Sequence, residues 1–402
     1  MKRTALFLIT FSTGFASAQD QAEPADFPGK ARLLLPPVIH ALEGLETNLY
    51  FDNSFLLLNP DSFAVDVNCP KGAQQNERWT WTPEAGATGE FPLSLELLDD
   101  DNRSVARASG VVRVHQREVV SPPEMPRTLL IIGDSLTAAS AYPARIVELA
   151  KEDGWPLELI GTRGPGVEEG NPPGEVCHEG YGGWTAERFA THFTGKARGG
   201  PYRECGSPFL YKDNAEDPNE SPRLDFARYC TEFNGGKGPD FVTILLGCND
   251  TFRATDETIE ERIDVFEKHT ETLLSMIHAL RPETRIGLVL PMPPAGTQDA
   301  FGANYGSGQT RWQYRRNRHR LVERMTLAFS DREKDGIHLV PAHLNLDPVH
   351  GFPAASVPAH ARTETSVERL NNGVHPSSEG YRQIGDALYA WLRSFDQEKR
   401  TQ

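Results

Sequence analysis

Long apolar runs and closely paired cysteines are both missing from most of this 402-residue sequence. After the first two dozen residues no apolar stretch reaches the length of a membrane span, which argues against a polytopic membrane protein. No CxxC pair occurs, so the zinc-knuckle class is not indicated. We therefore expect neither a membrane domain nor a structural zinc site.

The five cysteines leave at least one thiol unpaired, because their number is odd. Three of them fall within one irregular stretch, where two could form a disulfide in an oxidising compartment. The sequence does not select the pair. The cysteines are Cys69, Cys177, Cys205, Cys230 and Cys248.

Basic residues are outnumbered, with 41 Lys and Arg against 56 Asp and Glu, and the formal net charge is −15. An acidic surface is a poor partner for nucleic acid or anionic lipid, so we expect no nucleic-acid binding. Charged residues make up 24% and hydrophobic residues 38% of the chain, which is typical of a globular protein.

The first 18 residues have the pattern of a cleavable signal peptide. Lys2 and Arg3 precede a mostly apolar segment that is too short to span a bilayer, and Ala16-Ser17-Ala18 fits the small-residue cleavage pattern. The alternative is a buried N-terminal helix. We expect cleavage after Ala18 and a secreted or periplasmic protein with no integral membrane segment left.

Two patterns of secondary structure divide the rest of the chain. Residues 25–120 contain short alternating segments such as "RWTWTP" and "VARASGVVRVH", which predict a small β-sandwich-like domain. Residues 121–127 are proline-rich and predict a linker. Residues 128–398 alternate apolar strands with amphipathic helices, which predicts a parallel α/β sheet. Two stretches, about 193–238 and about 347–372, have no such periodicity and predict long irregular loops.

The motif Gly133-Asp134-Ser135-Leu136 directly follows the apolar strand "TLLII" and precedes a helix. Parallel sheets place active sites at the carboxyl ends of their strands, and a helix N-terminus favours developing negative charge. Ser135 is therefore a candidate nucleophile. The alternative from this motif alone is that Ser135 only caps the helix.

Three further motifs supply what a serine nucleophile needs, namely a base and donors for an oxyanion. A glycine block at 180–183 opens a helix, and its backbone N–H groups can approach a ligand. Asn249 follows the third buried strand and offers a side-chain amide. His375 lies late in the chain, before the final helix, and is the candidate base.

With these four motifs in this order, residues 128–392 resemble the SGNH/GDSL hydrolase superfamily. The resemblance implies a flavodoxin-like three-layer α/β/α fold with a parallel central sheet, and no metal or organic cofactor. It implies that Ser135 is the nucleophile and His375 the general base. It also implies an oxyanion hole formed by the backbone N–H groups of Ser135 and Gly183 and the Asn249 amide. Gly182 is the less favoured glycine donor.

One position departs from the family pattern. The last block of the family reads DxxH, but residue 372 is asparagine, in Asn372-Gly373-Val374-His375. An amide cannot stabilise an imidazolium by charge, and losing such a carboxylate costs serine proteases on the order of 10⁴ in rate. Three hypotheses follow: Asn372 orients His375 through its carbonyl oxygen, Asp347 or Glu368 supplies the charge, or the site is degenerate.

Other residues carry weaker signals. Asp134, Tyr142 and Trp184 adjoin the catalytic motifs and are candidates for substrate binding, although Tyr142 and Trp184 could equally serve packing.

The segment with His338, His343, Asp347 and His350 matches no metal-ligand spacing, so no metal site is predicted. Cys248 has apolar neighbours and is expected to be a buried, inert thiol. Five arginines surround Trp312 and Tyr314; we expect the exposed face of a helix, with binding of an anionic sugar or polymer as the alternative. These arginines are Arg311, Arg315, Arg316, Arg318 and Arg320.

The sequence therefore predicts an exported serine esterase that acts on a small-molecule or polysaccharide ester. A short acyl group, acetyl above all, on a carbohydrate is the favoured substrate, because of the export signal, the added β-domain and the lack of an apolar lid. The alternatives are a lipase or lysophospholipase, and a carbohydrate-binding protein of the same fold that has lost turnover.

Overall fold

The computed structural model describes residues 32–396 except 121, 124, 197–199, 215, 216, 218 and 307. The predicted signal peptide and its cleavage site lie outside the described residues. The described residues all belong to one compact unit. In the described part of the chain no helix has the length and apolarity that crossing a bilayer requires.

Residues 32–115 are rich in β-strands, as their alternating sequence predicts. A four-stranded sheet with the order β2-β9-β8-β5 and a three-stranded sheet with the order β3-β7-β6 enclose a core that includes Leu49, Trp79, Leu95 and Val112. Strand β1 pairs with β4. The strands are β1 (Arg32–Leu33), β2 (Val38–Leu42), β3 (Thr47–Tyr50), β4 (Phe55–Leu56), β5 (Ala64–Asn68), β6 (Ala73–Gln74), β7 (Arg78–Trp81), β8 (Gly89–Leu98) and β9 (Ser104–His115).

The second region is built on a parallel sheet with the order β11-β10-β15-β16-β17, and β12 pairs with the end of β10. Counting its strands along the chain gives the order 2-1-3-4-5 of flavodoxin-like folds. The predicted parallel sheet is confirmed. Its strands are β10 (Arg127–Gly133), β11 (Leu157–Ile160), β12 (Glu179–Gly180), β15 (Phe241–Leu245), β16 (Arg285–Val289) and β17 (Ile337–Val340).

Helices cover both faces of this sheet, which gives three layers. Successive residues of β10 point to opposite faces: Leu129 and Ile131 join one core, and Leu130 and Ile132 the other. The core with Leu129 contains α2 and α9, and the other contains α3, α4, α6 and α8. The helices are α1 (Ser135–Ala138), α2 (Ala141–Glu152), α3 (Ala186–Thr191), α4 (Phe226–Phe233), α5 (Cys248–Thr251), α6 (Ile259–Leu280), α7 (Gln298–Tyr305), α8 (Arg311–Phe329) and α9 (Ser378–Arg393).

Hydroxyl side chains fix where several of these helices begin. Thr185 accepts a hydrogen bond from the N–H of Arg188 at the start of α3, and Thr310 accepts one from Gln313 at the start of α8. Ser377 does the same for α9. Each satisfies a backbone donor that the first helical turn leaves without a partner.

Two arginines of α8 contradict the prediction of an exposed helix face. Arg315 and Arg318 are buried, at 4% and 5% exposure, instead of lying on an exposed helix face. Arg315 donates to the carbonyl oxygens of Asp52 and Phe55, and Arg318 donates to that of Asn53. The side of α8 that carries Arg315 and Arg318 is therefore covered by the β-rich region, an effect that the local sequence of a helix cannot reveal.

The two stretches predicted to be irregular contain regular structure. The first contains a short hairpin, β13 (Leu210–Tyr211) with β14 (Arg223–Leu224), and helix α4. The second contains the hairpin β18 (Ala354–Pro358) with β19 (Ser366–Leu370). Strands β13 and β14 have only two residues each, and β18 and β19 are largely exposed, so none of the four shows a long apolar alternation by which strands are identified.

No disulfide links the five cysteines, all of which lie within the described residues. Cys177, Cys205 and Cys230 are buried and not joined to one another, so the disulfide considered for this stretch is not formed. Cys248 is also buried, as expected, and its Sγ lies 2.9 Å from the hydroxyl of Tyr314.

Candidate active site

The predicted site residues lie at the carboxyl edge of the parallel sheet. Ser135 follows β10, Asn249 follows β15, and β12 leads into the glycine block. Strands β10 and β15 are neighbours, with β11 on the outer side of β10, so the strand order reverses between them. Ligands of open α/β sheets bind at such a reversal.

Ser135 and His375 are in direct contact. The Nε2 atom of His375 lies 2.9 Å from the Oγ atom of Ser135, although the two residues are 240 positions apart in sequence. Both residues are half-buried. This distance is within the range that proton transfer between a hydroxyl and a base requires.

The turn before α1 sets the direction of Ser135. Asp134 caps the helix, and its Oδ1 accepts a hydrogen bond from the N–H of Leu136 at 2.9 Å. A Cβ atom at Gly133 would collide with the hydroxyl of Thr137, so this tight turn requires glycine there. Within the described structure the N–H of Ser135 has no hydrogen-bond partner.

The glycine block forms a turn that exposes a second N–H group. The N–H of Trp184 donates to the carbonyl oxygen of Tyr181 at 3.2 Å, and Gly183 has a φ of +75°. A positive φ at the third position is the pattern of a type II turn, which favours glycine. Gly183 is exposed, and among the described residues its N–H has no partner.

Asn249 is held by acceptors on both sides. Its Nδ2 donates to Oδ2 of Asp134 at 3.0 Å and to the carbonyl oxygen of Trp184 at 3.1 Å. An amide nitrogen carries two hydrogens, so both have acceptors in this structure. The amide is therefore oriented between the Ser135 turn and the glycine block, and any further acceptor has to share or displace one of these bonds.

Two buried carboxyl groups flank Asn249. Burial raises the pKa of Asp134 to about 7, and burial likewise raises the pKa of Asp250 to about 7. Asp250 accepts hydrogen bonds from the N–H groups of Ala186 and Gly247. Asp250 thus joins the end of β15 to the start of α3. No role was predicted for this residue, although its place beside Asn249 was a usable signal.

Asn372 does not contact the imidazole of His375. Its Oδ1 accepts hydrogen bonds from the N–H groups of Val374 and His375, at 3.1 and 2.9 Å, and so closes a local turn. In this structure the oxygen therefore binds the backbone and not the imidazole ring. The spacing of three residues between Asn372 and His375 suggested contact between their side chains. In the structure it instead lets the Asn372 side chain bind backbone N–H groups of the turn.

Neither of the two other proposed acids supplies a charge to His375 in this structure. Oδ1 of Asp347 accepts from the N–H groups of Val349 and His350, and Glu368 lies on the exposed strand β19. Burial alone lowers the pKa of His375 below its ordinary value. Among the described residues Nδ1 of His375 has no hydrogen-bond partner, so the arrangement is a Ser–His dyad.

The three residues predicted to bind substrate are enclosed by protein. Asp134, Tyr142 and Trp184 are at most 1% exposed. The hydroxyl of Tyr142 lies 2.7 Å from that of Thr137, and the Trp184 ring stacks on Tyr181. The packing alternative is therefore supported for Tyr142 and Trp184, and Asp134 acts through the bonds described above. A catalytic motif does not indicate which of the side chains next to it are buried.

Comparison with known proteins gives a family match and several matching solved structures. The model of the GDSL-like Lipase/Acylhydrolase family matches residues 131–383, more than half of the chain. No curated protein matches the chain.

Three similar solved structures have low identity and low TM-scores. A carbohydrate esterase family 3 protein from Talaromyces cellulolyticus is 14% identical, with 68% of this chain and 99% of that chain covered and a TM-score of 0.35. An acetylxylan esterase from Geobacillus stearothermophilus is 17% identical, with 66% and 93% covered and a TM-score of 0.33. A lipase/acylhydrolase from Enterococcus faecalis is 14% identical, with 67% and 96% covered and a TM-score of 0.33. The family assignment rests on the family match: the chain belongs to the GDSL-like lipase/acylhydrolase family and is a carboxylic ester hydrolase.

Proposed function

We propose that this protein is an exported serine esterase that removes short acyl groups, acetyl above all, from carbohydrate. The observation that carries the catalytic part is the 2.9 Å contact between Oγ of Ser135 and Nε2 of His375. Ser135 attacks the ester carbonyl carbon while His375 takes its proton. His375 then protonates the leaving alkoxide, and a water molecule activated by the same base releases the acid from the acyl-enzyme.

The oxyanion of the tetrahedral intermediate is stabilised by N–H donors near Ser135. The unpartnered N–H groups of Ser135 and Gly183 support this assignment, because neither has to give up a bond within the protein. Asn249 is the third donor. An anionic oxygen is a stronger acceptor than the neutral carbonyl oxygen of Trp184, so it draws one amide hydrogen away from that bond.

Replacing Asn249 with alanine should lower kcat by about 10²-fold, the usual cost of one oxyanion donor. KM should change little, because the donor acts mainly in the transition state. Steady-state kinetics with p-nitrophenyl acetate measure both constants. An N249A protein that is folded by circular dichroism and retains the wild-type kcat would remove Asn249 from the oxyanion hole.

The pH dependence of kcat/KM should reflect a base without a carboxylate partner. His375 must be neutral to accept the proton, and burial lowers its pKa, so the acidic limb should lie below about pH 6.5. In an Asn372→Asp variant Oδ1 can still close the turn, and the added negative charge should raise the pKa of His375. The acidic limb should then move up by about one pH unit. An unchanged limb in N372D would mean that another acid already serves His375.

The distribution of exposed apolar side chains favours short acyl groups over long ones. Within the described structure the large exposed apolar residues belong to none of the four catalytic motifs. A lipase requires an apolar surface for its acyl chain, and the four catalytic motifs contribute no large exposed apolar side chain to one within the described structure. These residues are Leu58, Val105, Val120, Met125, Leu327 and Val349.

A panel of esters tests the proposed substrate class. Purified protein is assayed on p-nitrophenyl esters of increasing acyl length and on acetylated polysaccharides, with release of acetate measured. We expect the highest kcat/KM for acetyl and release of acetate from polysaccharide. Faster turnover of long acyl chains would favour a lipase. Failure of a fluorophosphonate probe to label Ser135 would favour a binding protein without turnover.

A further inference from the structure

A second serine–histidine contact lies next to the candidate active site, between the residues after α1 and the residues before the glycine block. Ser140, two residues after α1, has its Oγ 2.8 Å from Nε2 of His178. His178 precedes the glycine block, and both residues are buried, at 8% and 1% exposure. The contact thus joins the segment that follows the nucleophile to the segment that precedes the oxyanion donor Gly183.

The backbone fixes which nitrogen of His178 carries the proton. The N–H of Gly180 donates to Nδ1 of His178 at 3.0 Å, and a backbone N–H cannot accept a hydrogen bond. Nδ1 is therefore unprotonated in this contact, and the neutral ring donates from Nε2 to the hydroxyl of Ser140. Burial is the main cause that lowers the pKa of His178 to about 3, so the ring stays neutral in ordinary assay conditions.

Ser140 adopts a conformation that serine rarely takes. Its φ is +60°, in the left-handed region, where a Cβ atom is disfavoured and where only one other described non-glycine residue, Asn102, is found. Backbone strain of this kind costs about 1–3 kcal/mol and persists where the surroundings enforce it. Glycine would fit this φ without strain, so the hydroxyl is the feature that distinguishes serine here.

The backbone of His178 is held by hydrogen bonds of its own. The Ser140–His178 contact can therefore fix the glycine block relative to α1. Its backbone N–H and C=O pair with those of Arg163, which follows β11, at 3.0 and 2.9 Å. A Cβ atom at Gly180 would lie 2.6 Å from the N atom of Ala138, so the glycine block abuts α1 with no space between them. The segment that contains Ser135 and the segment that leads to Gly183 are joined at two places. Before Ser135 they are joined by the pairing of β10 with β12, and after Ser135 by the Ser140–His178 contact.

We propose that Ser140 and His178 are positioning residues that set the spacing between the nucleophile Ser135 and the oxyanion donor Gly183. This inference rests on the proposed function, in which these two residues have those roles. The reacting atoms themselves are not touched by either positioning residue. Small displacements of a reacting group can cost up to about 10²-fold in rate, so losing the contact should affect kcat more than KM.

Ser140→Gly separates positioning from stability, because glycine relieves the backbone strain while the hydroxyl is lost. We expect kcat for p-nitrophenyl acetate to fall about 10-fold with KM and Tm nearly unchanged. Ser140→Asn, which tolerates a positive φ and offers an oxygen to Nε2 of His178, should recover most of that loss. Asn102→Gly is the matched control, since it also introduces glycine at a φ of +60°, but in the β-rich region.

Hydrogen exchange of the amides of Gly180 to Trp184 gives a readout that does not depend on turnover. The exchange rate should rise in S140G and not in N102G. Unchanged kcat and unchanged exchange in S140G would overturn the proposal, and so would an equal loss of kcat in N102G. If the wild-type protein neither hydrolyses esters nor reacts with a fluorophosphonate, the proposed function fails, while the exchange rates still decide whether the contact holds the glycine block in place.

Discussion

A Ser135→Ala variant is expected to lose at least about 10³-fold in kcat for p-nitrophenyl acetate. The reason is that Oγ of Ser135 is the only atom of the dyad that can form the acyl-enzyme, and its 2.9 Å contact with His375 is what makes it nucleophilic. Activity that remains should come from the oxyanion donors, which the substitution leaves in place. Labelling by a fluorophosphonate probe should disappear completely, and mass spectrometry of the wild-type protein should place the adduct on Ser135.

Ser104→Ala is a suitable control for this variant. Ser104 is exposed at the start of β9, and within the described structure its hydroxyl has only a long contact of 3.5 Å with Glu96. The control should retain the wild-type kcat and the wild-type labelling. A folded S135A protein with full activity would show that another residue is the nucleophile.

The parallel sheet and the placement of Ser135 and Asn249 at its carboxyl edge could be predicted because they depend on local sequence patterns, whereas the role of His375 was taken from the family resemblance. The apolar residues of "TLLII" predict a buried parallel strand, and a residue that follows such a strand lies at the carboxyl edge of the sheet. The same rule applied to Asn249 places it on the same edge. The strand order, read together with these motifs, is sufficient to bring the segments into one place.

Contacts between distant segments were not predictable in the same way. Arg315 and Arg318 have the composition of a solvated helix face, and their burial depends on carbonyl groups of residues 52–55 from the other region. Likewise, the environment of Cys248 includes Tyr314, which is 66 positions away. A pattern of charges along one helix contains no information about which segment packs on it.

Asn372 illustrates a different limit of sequence reading. Its spacing from His375 correctly places the two residues in one turn, but an Asn side chain can satisfy either a ring nitrogen or the backbone of that turn. The structure shows the second choice, with hydrogen bonds to two N–H groups. Sequence spacing defines which residues are neighbours, and the competition between acceptors decides what each side chain binds.

The second large effect is expected for His375→Ala, which should lower kcat by about 10³-fold or more because, within the described structure, His375 is the base at hydrogen-bonding distance from Oγ of Ser135. The matched control is His278→Ala. His278 bonds to the carbonyl oxygen of Thr284, which directly precedes β16 and therefore lies at the sheet edge opposite the site. Added imidazole should restore part of the activity of H375A and none of the activity of S135A.

Combining the two substitutions distinguishes a dyad from two independent contributions. If Ser135 and His375 act as one unit, the double variant should be no slower than the slower of the two single variants, because either change alone already removes the acyl-enzyme route. The remaining rate then measures what Gly183, Asn249 and the backbone of Ser135 contribute without a nucleophile. Losses that multiply in the double variant would mean that His375 supports catalysis by some route other than accepting the proton of Ser135.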